Sequence, residues 1–502
     1  MRGEFRWIGL VVLLLAPLFV LEDWERNYLP YLISSSILLA ILFVFMKEMN
    51  QERFNLFQPV LWVGLIFFLP NFVLKGWYLT FIEPENYFTK KLLNRDYNLN
   101  LALATGLLSY LCLAAGYYLF PCRRPAVKLL EKQKSAVYHY FFFKWPSFLL
   151  YLTGAVFSGY LLLTGGGGYT ALRESTPFLH VAQHIAKFNL YGLFLFLFCF
   201  LSLKRDSGLS WKIMIGIIVV GQVGLALFSG SRAGLLMNCI ILLAVMQYTG
   251  LLRRSSTKFI GVLALSAILL AVSFTFVTQF RSLKYSLVGH ERPASTKDMM
   301  EISRVIVKRQ TQENVEDTGA VYGNLLIERV NNLESLALVL ERASQVQHLE
   351  RAYGIENDMV HELIWGLVPR FMYPDKPMMS DFAVSFGIIY HDQVERSLSM
   401  ANPTVIGDLY RNCGYLGMAI GMFILGLFLR GFYEITMGQN KNPFFIIVYF
   451  FSVFTINYEA TYIGIFHGFL RLWIMLGLFS ACALWLYRLS VGNLLRFETR
   501  RI

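Results

Sequence analysis

Charge and cysteine are both scarce in this chain. Asp, Glu, Lys and Arg together make up 16% of its 502 residues, below the roughly 25% of a soluble globular domain. The six cysteines, at positions 112, 122, 199, 239, 413 and 482, lie in or beside apolar runs and form no CxxC pair. A disulfide framework and a thiolate metal site are therefore both unsupported. No internal repeat is visible, which excludes a solenoid, and no inverted pair of broken apolar segments marks a transporter. Low complexity is confined to Gly165–Gly168, read as a flexible turn.

Apolar residues dominate what is present: 56% of the chain is hydrophobic and 16% aromatic, with mean hydropathy +0.50. Runs long enough to cross about 30 Å of hydrocarbon occur at 7–21, 29–46, 57–74, 99–120, 146–163, 186–203, 211–229, 233–250, 258–280, 413–430, 443–462 and 468–487. The expectation is an integral membrane protein of twelve spans. Residues 1–21 begin like a signal peptide, with Arg2 and Arg6 before a short apolar core, but Leu21-Glu22-Asp23-Trp24 is a poor cleavage site. They are read as a retained helix.

Lys and Arg resist translocation, so the short loops set orientation. With the N-terminus cytoplasmic, the inner loops collect Lys47, Arg53, the cluster from Arg123 to Lys144, Lys204, Arg205, Lys212, Arg253, Arg254, Lys258 and the tail from Arg488 to Arg501. The short outer loops hold far fewer. Both termini then lie inside, and the expected divisions are a bundle of nine spans (1–280), a large extracytoplasmic loop (281–412), three further spans (413–487) and a basic tail (488–502). The net charge of +12 follows from this asymmetry and from anionic headgroups, and is not read as a nucleic-acid footprint.

Within the loop, Val321, Leu325, Leu326, Val330, Leu333, Leu336 and Leu340 recur at helical spacing, as do Ile355, Met359, Val360, Leu363, Ile364 and Leu367. Two amphipathic helices are expected, each with a stripe that must find a packing partner. Docked on the outer ends of the spans, they would make a cap.

Four arginines lie at or near the expected outer boundary. Arg232 sits in Ser229-Gly230-Ser231-Arg232-Ala233-Gly234, Arg281 follows Gln279-Phe280, Arg370 lies in Val368-Pro369-Arg370-Phe371, and Arg411 precedes the tenth span. Small residues, helix-start amides and guanidinium groups suit a phosphate oxyanion. Ordinary interface arginines would look the same. A general base needs hydrogen-bond reach and a pKa near working pH. His361 beside Glu362, His391 beside Asp392, and Asp408 are the candidates, with His290 and His348 also in the loop. Glu459 and His467 are costly in lipid and are expected to face a polar interior. Glu22-Asp23 would be the active acids of an enzyme using a lipid-monophosphate sugar.

Three stretches resemble the O-antigen polymerase (Wzy-type) and oligosaccharide repeat-unit polymerase families. They are Ser229 to Gly234, the element Val368-Pro369-Arg370-Phe371-Met372-Tyr373-Pro374-Asp375-Lys376-Pro377, and Pro403 to Gly417 leading into a glycine-containing span. Asp408 and Cys413 depart from the family's usual Glu and Phe at those places. The resemblance implies an all-α polytopic membrane protein of about 12 transmembrane helices with one large helical extracytoplasmic loop, GT-C-like, in the bacterial inner membrane. It implies a glycosyltransferase that joins undecaprenyl-diphosphate-linked oligosaccharide repeat units. Membrane lipids, a chain-length regulator and a flippase are the expected partners, with no cofactor and no metal. Arg232, Arg281, Arg370 and Arg411 would hold diphosphate, and His361, His391 or Asp408 would activate the acceptor hydroxyl. A lipid-linked glycan ligase, a lipid-phosphate-sugar glycosyltransferase and a flippase of lipid-linked oligosaccharide are the rival readings.

Overall fold

The structure is a computed structural model. It describes residues 27–49, 55–82, 89–119, 140–164, 177–203, 208–229, 232–251, 332–355, 379–393, 403–437, 443–454 and 458–498, together with isolated positions 279–280, 283, 298, 301–302, 304–306, 363–364 and 456. The elements found there are all helical. In chain order they are α1 Leu29–Met49, α2 Pro59–Phe81, α3 Arg95–Leu119, α4 Lys144–Thr164, α5 Pro177–Ala186, α6 Phe188–Ser202, α7 Leu209–Ser229, α8 Arg232–Tyr248, α9 Asn332–Arg342, α10 Gln347–Ala352, α11 Met379–His391, α12 Val405–Met437, α13 Pro443–Phe454 and α14 Tyr462–Glu498.

Among the described residues seven helices are long and apolar enough to cross a membrane: α1, α2, α3, α4, Val181–Ser202, α12 and Tyr462–Ser490. They coincide with seven of the twelve runs read from the sequence. The expected spans at 211–229, 233–250 and 443–462 correspond to α7, α8 and α13, whose apolar stretches are shorter. The run at 7–21 lies outside the described residues, and that at 258–280 almost wholly so. Inside the spans, hydroxyls turn back on their own helix: Ser109 donates to Thr105 O (2.7 Å), Thr105 to Leu101 O (2.7 Å) and Thr80 to Gly76 O (2.8 Å). That satisfies them without water, as hydrocarbon requires.

Two compact units divide the chain. One comprises 1–130, 316–438 and 452–471; the other comprises 131–315, 439–451 and 472–502. In the first, α3 and α12 cross on reciprocal glycines. A Cβ on Gly116 would lie 2.0 Å from Phe423 O, and one on Gly426 would lie 2.1 Å from Leu113 O. Only glycine permits backbones to meet so closely, which is how helices gain dispersion contact where lipid supplies no hydrophobic drive. The second unit uses the same device between α4 and α6: a Cβ on Gly154 would lie 2.0 Å from Asn189 N, and one on Gly192 would lie 2.6 Å from Tyr151 N. Tyr191 of α6 then meets Phe451 edge-to-face at 4.7 Å, and Phe194 meets Phe450 at a tilt at 5.2 Å.

Helix α2 carries the main irregularity. Its middle, Gly64–Leu74, is π-helical and contains Pro70. Proline offers no N–H to the carbonyl one turn back and crowds it, so the ladder widens there. Ser34 of α1 donates to Phe72 O (3.1 Å) within that stretch. Helix α12 is broken at Gly414, whose φ of 66° and ψ of −165° are open only to glycine. Residues 405–413 therefore form a short helix distinct from the span that begins at 415.

The expected amphipathic stripe is realised in α9, where Leu333 and Leu336 are fully buried and Leu340 nearly so. Each contributes about 2 kcal/mol of burial. Val321 to Val330 lie outside the described residues, and of the second expected stripe Ile355 is buried while Leu363 and Ile364 are exposed. From Asn332 on, the described part of the polar segment belongs to the first unit, where α9 packs against α3 and α12.

Candidate functional site

The site is built where α9 meets the C-terminal half of α2, and its framework is two polar rungs. Asn71 and Lys75 are one turn apart on α2, and Asn332 and Glu334 open α9. Lys75 Nζ pairs with Glu334 Oε1 at 2.8 Å with both side chains fully buried. Asn332 Nδ2 donates to Asn71 Oδ1 at 2.7 Å and to Glu459 Oε1 at 2.8 Å. Asn71 in turn donates to Phe67 O at 2.8 Å, inside the π-helical turn. Each amide is thereby oriented, because its nitrogen and oxygen have distinct obligations. Asn71 and Asn332 are buried, whereas Glu459 is exposed.

A second network ties the rest of the segment down. Arg411 donates from Nη1 to Glu350 Oε1 (2.9 Å) and Ile355 O (3.0 Å), and from Nη2 to Asp408 Oδ1 (3.0 Å). Its guanidinium also lies 5.2 Å from the ring centre of Phe382. Tyr390 Oη donates to Glu350 Oε1 (2.9 Å). Asp408 Oδ2 accepts the backbone N–H of Tyr462 (2.8 Å), the first residue of α14, so the carboxylate also meets the positive end of that helix. Thr461 caps the same terminus by accepting from Gly464 N (3.1 Å).

His391 is buried with Nε2 3.1 Å from Ser335 Oγ. Burial lowers its pKa to about 4, helped by the nearby Lys91 and Arg342 cations. The ring is neutral at pH 7. Its neighbour Asp392, at φ 45°, turns away to Arg342 (3.0 Å) and Lys91 (3.5 Å). Lys91 also donates to His391 O, and Leu93 N donates to Glu341 Oε1 (3.2 Å), so the start of α3 is stitched to α9 and α11. A cavity of about 130 Å³ at this end is lined by Asn27, Leu79, Thr80, Arg95 and Asp96 among others. At the other end of α1, α3 and α12, Tyr118 donates to Glu48 Oε1 (2.7 Å), Lys47 sits 3.5 Å from the Tyr118 ring centre, and Arg430 lies 5.2 Å from that of Tyr117. The segment and the Lys47–Arg430 cluster thus occupy opposite ends of one helical unit.

One family model matches this chain over residues 172–474, and its description is a domain of unknown function, DUF8712. That is more than half of the 502 residues. The chain belongs to this family. The DUF8712 region takes in Asn332, Glu334, Arg411 and Glu459 and leaves out Asn71 and Lys75. Searches of curated proteins and of solved structures give no match.

Of the residues singled out in the sequence, the structure brings Asp408 and Arg411 together, bonded to each other and buried. Their polar atoms are turned to protein groups rather than to the surface. His391 belongs to the same unit and is also buried. Arg232 begins α8 in the other unit, its side chain outside the described residues, as are Gly230 and Ser231. Arg281, Arg370 and His361 lie outside the described residues, as do Glu22 and Asp23. His467 is buried with Nε2 3.1 Å from Leu363 O. Glu459 differs from expectation: instead of facing an interior it is exposed and held through Asn332. Asn71, Lys75, Asn332, Glu334 and Glu350 were missed as site residues. The one available signal was a Lys and an Asn one turn apart at the end of an apolar run, where unpaired polar groups are costly. Among the described residues no three His, Cys, Asp or Glu side chains converge on a metal-sized site.

Proposed function

We propose that this DUF8712 protein is a membrane glycosyltransferase of the repeat-unit polymerase type. It transfers a glycan from one undecaprenyl-diphosphate carrier to the non-reducing end of a repeat unit on another. In this reading the chain has twelve spans, a GT-C-like arrangement and cytoplasmic termini in the bacterial inner membrane, and residues 281–412 face the extracytoplasmic side. ATP and nucleotide sugars are absent there, so the donor must arrive with its leaving group, and a lipid diphosphate is one. Arg232, Arg281 and Arg370 are the cations assigned to the diphosphates. Arg411, bonded to Glu350 and Asp408, is assigned to holding the segment in place.

The observation that carries the reading is the docking of α9 onto the membrane helix α2 through the buried Lys75–Glu334 pair, with Arg411 and Glu350 tying down the rest of the described segment. A buried ion pair is an expensive way to hold a loop unless its position matters. Purified protein in liposomes with undecaprenyl-diphosphate-linked repeat units tests the proposal. A ladder of longer glycans is expected; translocation of the lipid without lengthening would overturn it.

A further inference from the structure

We infer that the second unit carries a binding site for an anionic phospholipid, with Lys144 as the group that meets the lipid phosphate. The inference does not rest on the glycosyltransferase reading. It starts from a cation without an anion. Lys144 opens α4 and is only 7% exposed. Its ammonium donates to Ser210 Oγ and lies 5.5 Å from the ring centres of both Trp145 and Trp211. Among the described residues no carboxylate pairs with it. An ammonium has three hydrogens to donate. One is used on a neutral hydroxyl, and the two indole faces stabilise the charge without neutralising it. A buried charge with no counter-ion is costly, and a ligand anion removes that cost.

The surroundings hold this geometry and open it to the surface. Lys144 and Ser210 stand at the starts of α4 and α7, and the two helices run side by side in the same direction: Tyr151 Oη donates to Ile218 O (3.1 Å), each about two turns on from its helix start. Trp211 is buried against Phe196 and Phe200 at 4.8 and 5.7 Å, which fixes its indole beside the ammonium. Ser210 is exposed, so the corner is reached through its hydroxyl. That hydroxyl lies in the first turn of α7, where backbone N–H groups lack helical partners and the dipole is positive. Exposed Lys212 is in the same turn, and exposed Arg488 follows Tyr487, whose ring stacks on Phe143 at 4.3 Å. All three side chains are cations, so the corner suits an anion.

The flanks say which anion. Helix α4 is long and apolar enough to cross a membrane, and it keeps Trp145, Leu149 and Val156 exposed along one face; α7 does the same with Leu209, Ile213 and Ile217. A free phosphate would use the ammonium and leave those faces bare. A phospholipid uses both, because its phosphate lies at headgroup depth, where tryptophan also concentrates, while its acyl chains run along the apolar side chains. The phosphate oxygens accept from the remaining ammonium hydrogens and from the Ser210 hydroxyl. Binding is non-covalent, and negative headgroups are preferred over zwitterionic ones.

Native mass spectrometry of the full-length protein in detergent tests the site, with phosphatidylglycerol, phosphatidylcholine and inorganic phosphate each titrated as the probe. Wild type is expected to bind phosphatidylglycerol more tightly than phosphatidylcholine. Lys144→Gln should weaken phosphatidylglycerol binding by about 10-fold, the loss of one charge-assisted hydrogen bond, whereas Lys144→Arg should keep the preference. Ser210→Ala, at an exposed position, should weaken it by about 5-fold. Equal affinity of wild type for the two lipids would overturn the inference, as would an undiminished preference in Lys144→Gln. If Lys144→Gln fails to fold, Ser210→Ala decides, and wild-type affinity there overturns the site. Displacement of phosphatidylglycerol by an equal concentration of inorganic phosphate would overturn the lipid as the source of the anion.

Discussion

Replacing Lys75 with methionine removes the cation paired with the Glu334 carboxylate in a site where neither side chain has any exposure. At 2.8 Å the pair attracts by about 6 kcal/mol at an effective dielectric constant near 20, an attraction that offsets the desolvation of both ions. Removing one partner leaves the cost without the offset, and comparable buried pairs lose 3–5 kcal/mol. The same loss is expected for Glu334→Leu, which removes the anion instead. The double replacement Lys75→Met with Glu334→Leu removes both charges and fills the space with apolar atoms, so it should be less damaging than either single change. The coupling energy of the cycle is then roughly 3 kcal/mol. Thermal unfolding of the purified protein in detergent reads it: each single variant should fall by roughly 10 °C, at about 2–4 °C per kcal/mol, and the double variant should recover most of that. If the double variant lost the sum of the two single losses, the pair would not be coupled and its role as an anchor for α9 would fail.

Three further outcomes are expected. Arg411→Lys should destabilise by about 3 kcal/mol in the same unfolding assay, because an ammonium cannot replace the forked contacts to Glu350 and Asp408; wild-type stability would refute this. His391 has a folded pKa near 4 against about 6.5 unfolded, so the unfolded state binds more protons between those values. Its contribution is complete above pH 6.5 and declines as pH falls toward 4, and His391→Gln should flatten that part of the stability curve measured by thermal unfolding. Gly414→Ala meets no atom within 4 Å, so its cost of about 1–3 kcal/mol should come from the backbone conformation alone; an unchanged unfolding temperature would show that α12 tolerates a regular helix there.

The spans were legible because hydropathy is a one-dimensional property: a run such as Leu29–Met49 declares itself without a partner. Periodicity likewise placed Leu333, Leu336 and Leu340 on one face of α9. The site was less legible because its bonds join residues far apart. Lys75 reads as a loop cation until Glu334, more than 250 positions later, is found against it. Asn71 and Asn332 carry no charge and no motif, so nothing local marks them. Arg411 looked like a ligand for phosphate because sequence shows a guanidinium at a membrane boundary, and does not show that Glu350 and Asp408 already occupy it. Asp408 and Arg411 are three positions apart, so their pairing was the one contact of the network within reach of local reasoning.

The reciprocal glycine crossings differ in when their partners exist. Gly154 and Asn189, like Gly192 and Tyr151, are separated by a few tens of residues, so α4 and α6 can close as one hairpin soon after both leave the ribosome. Gly116 and Phe423 are more than 300 residues apart, and α3 must wait in the bilayer for most of the chain to be made before α12 arrives. During that interval Ser109 lacks Met418 and Asn98 lacks Glu341. The first unit, which carries the candidate site, therefore cannot close on its first helices until α12 has been made, and the window before α12 inserts is when α3 most needs a chaperoning neighbour.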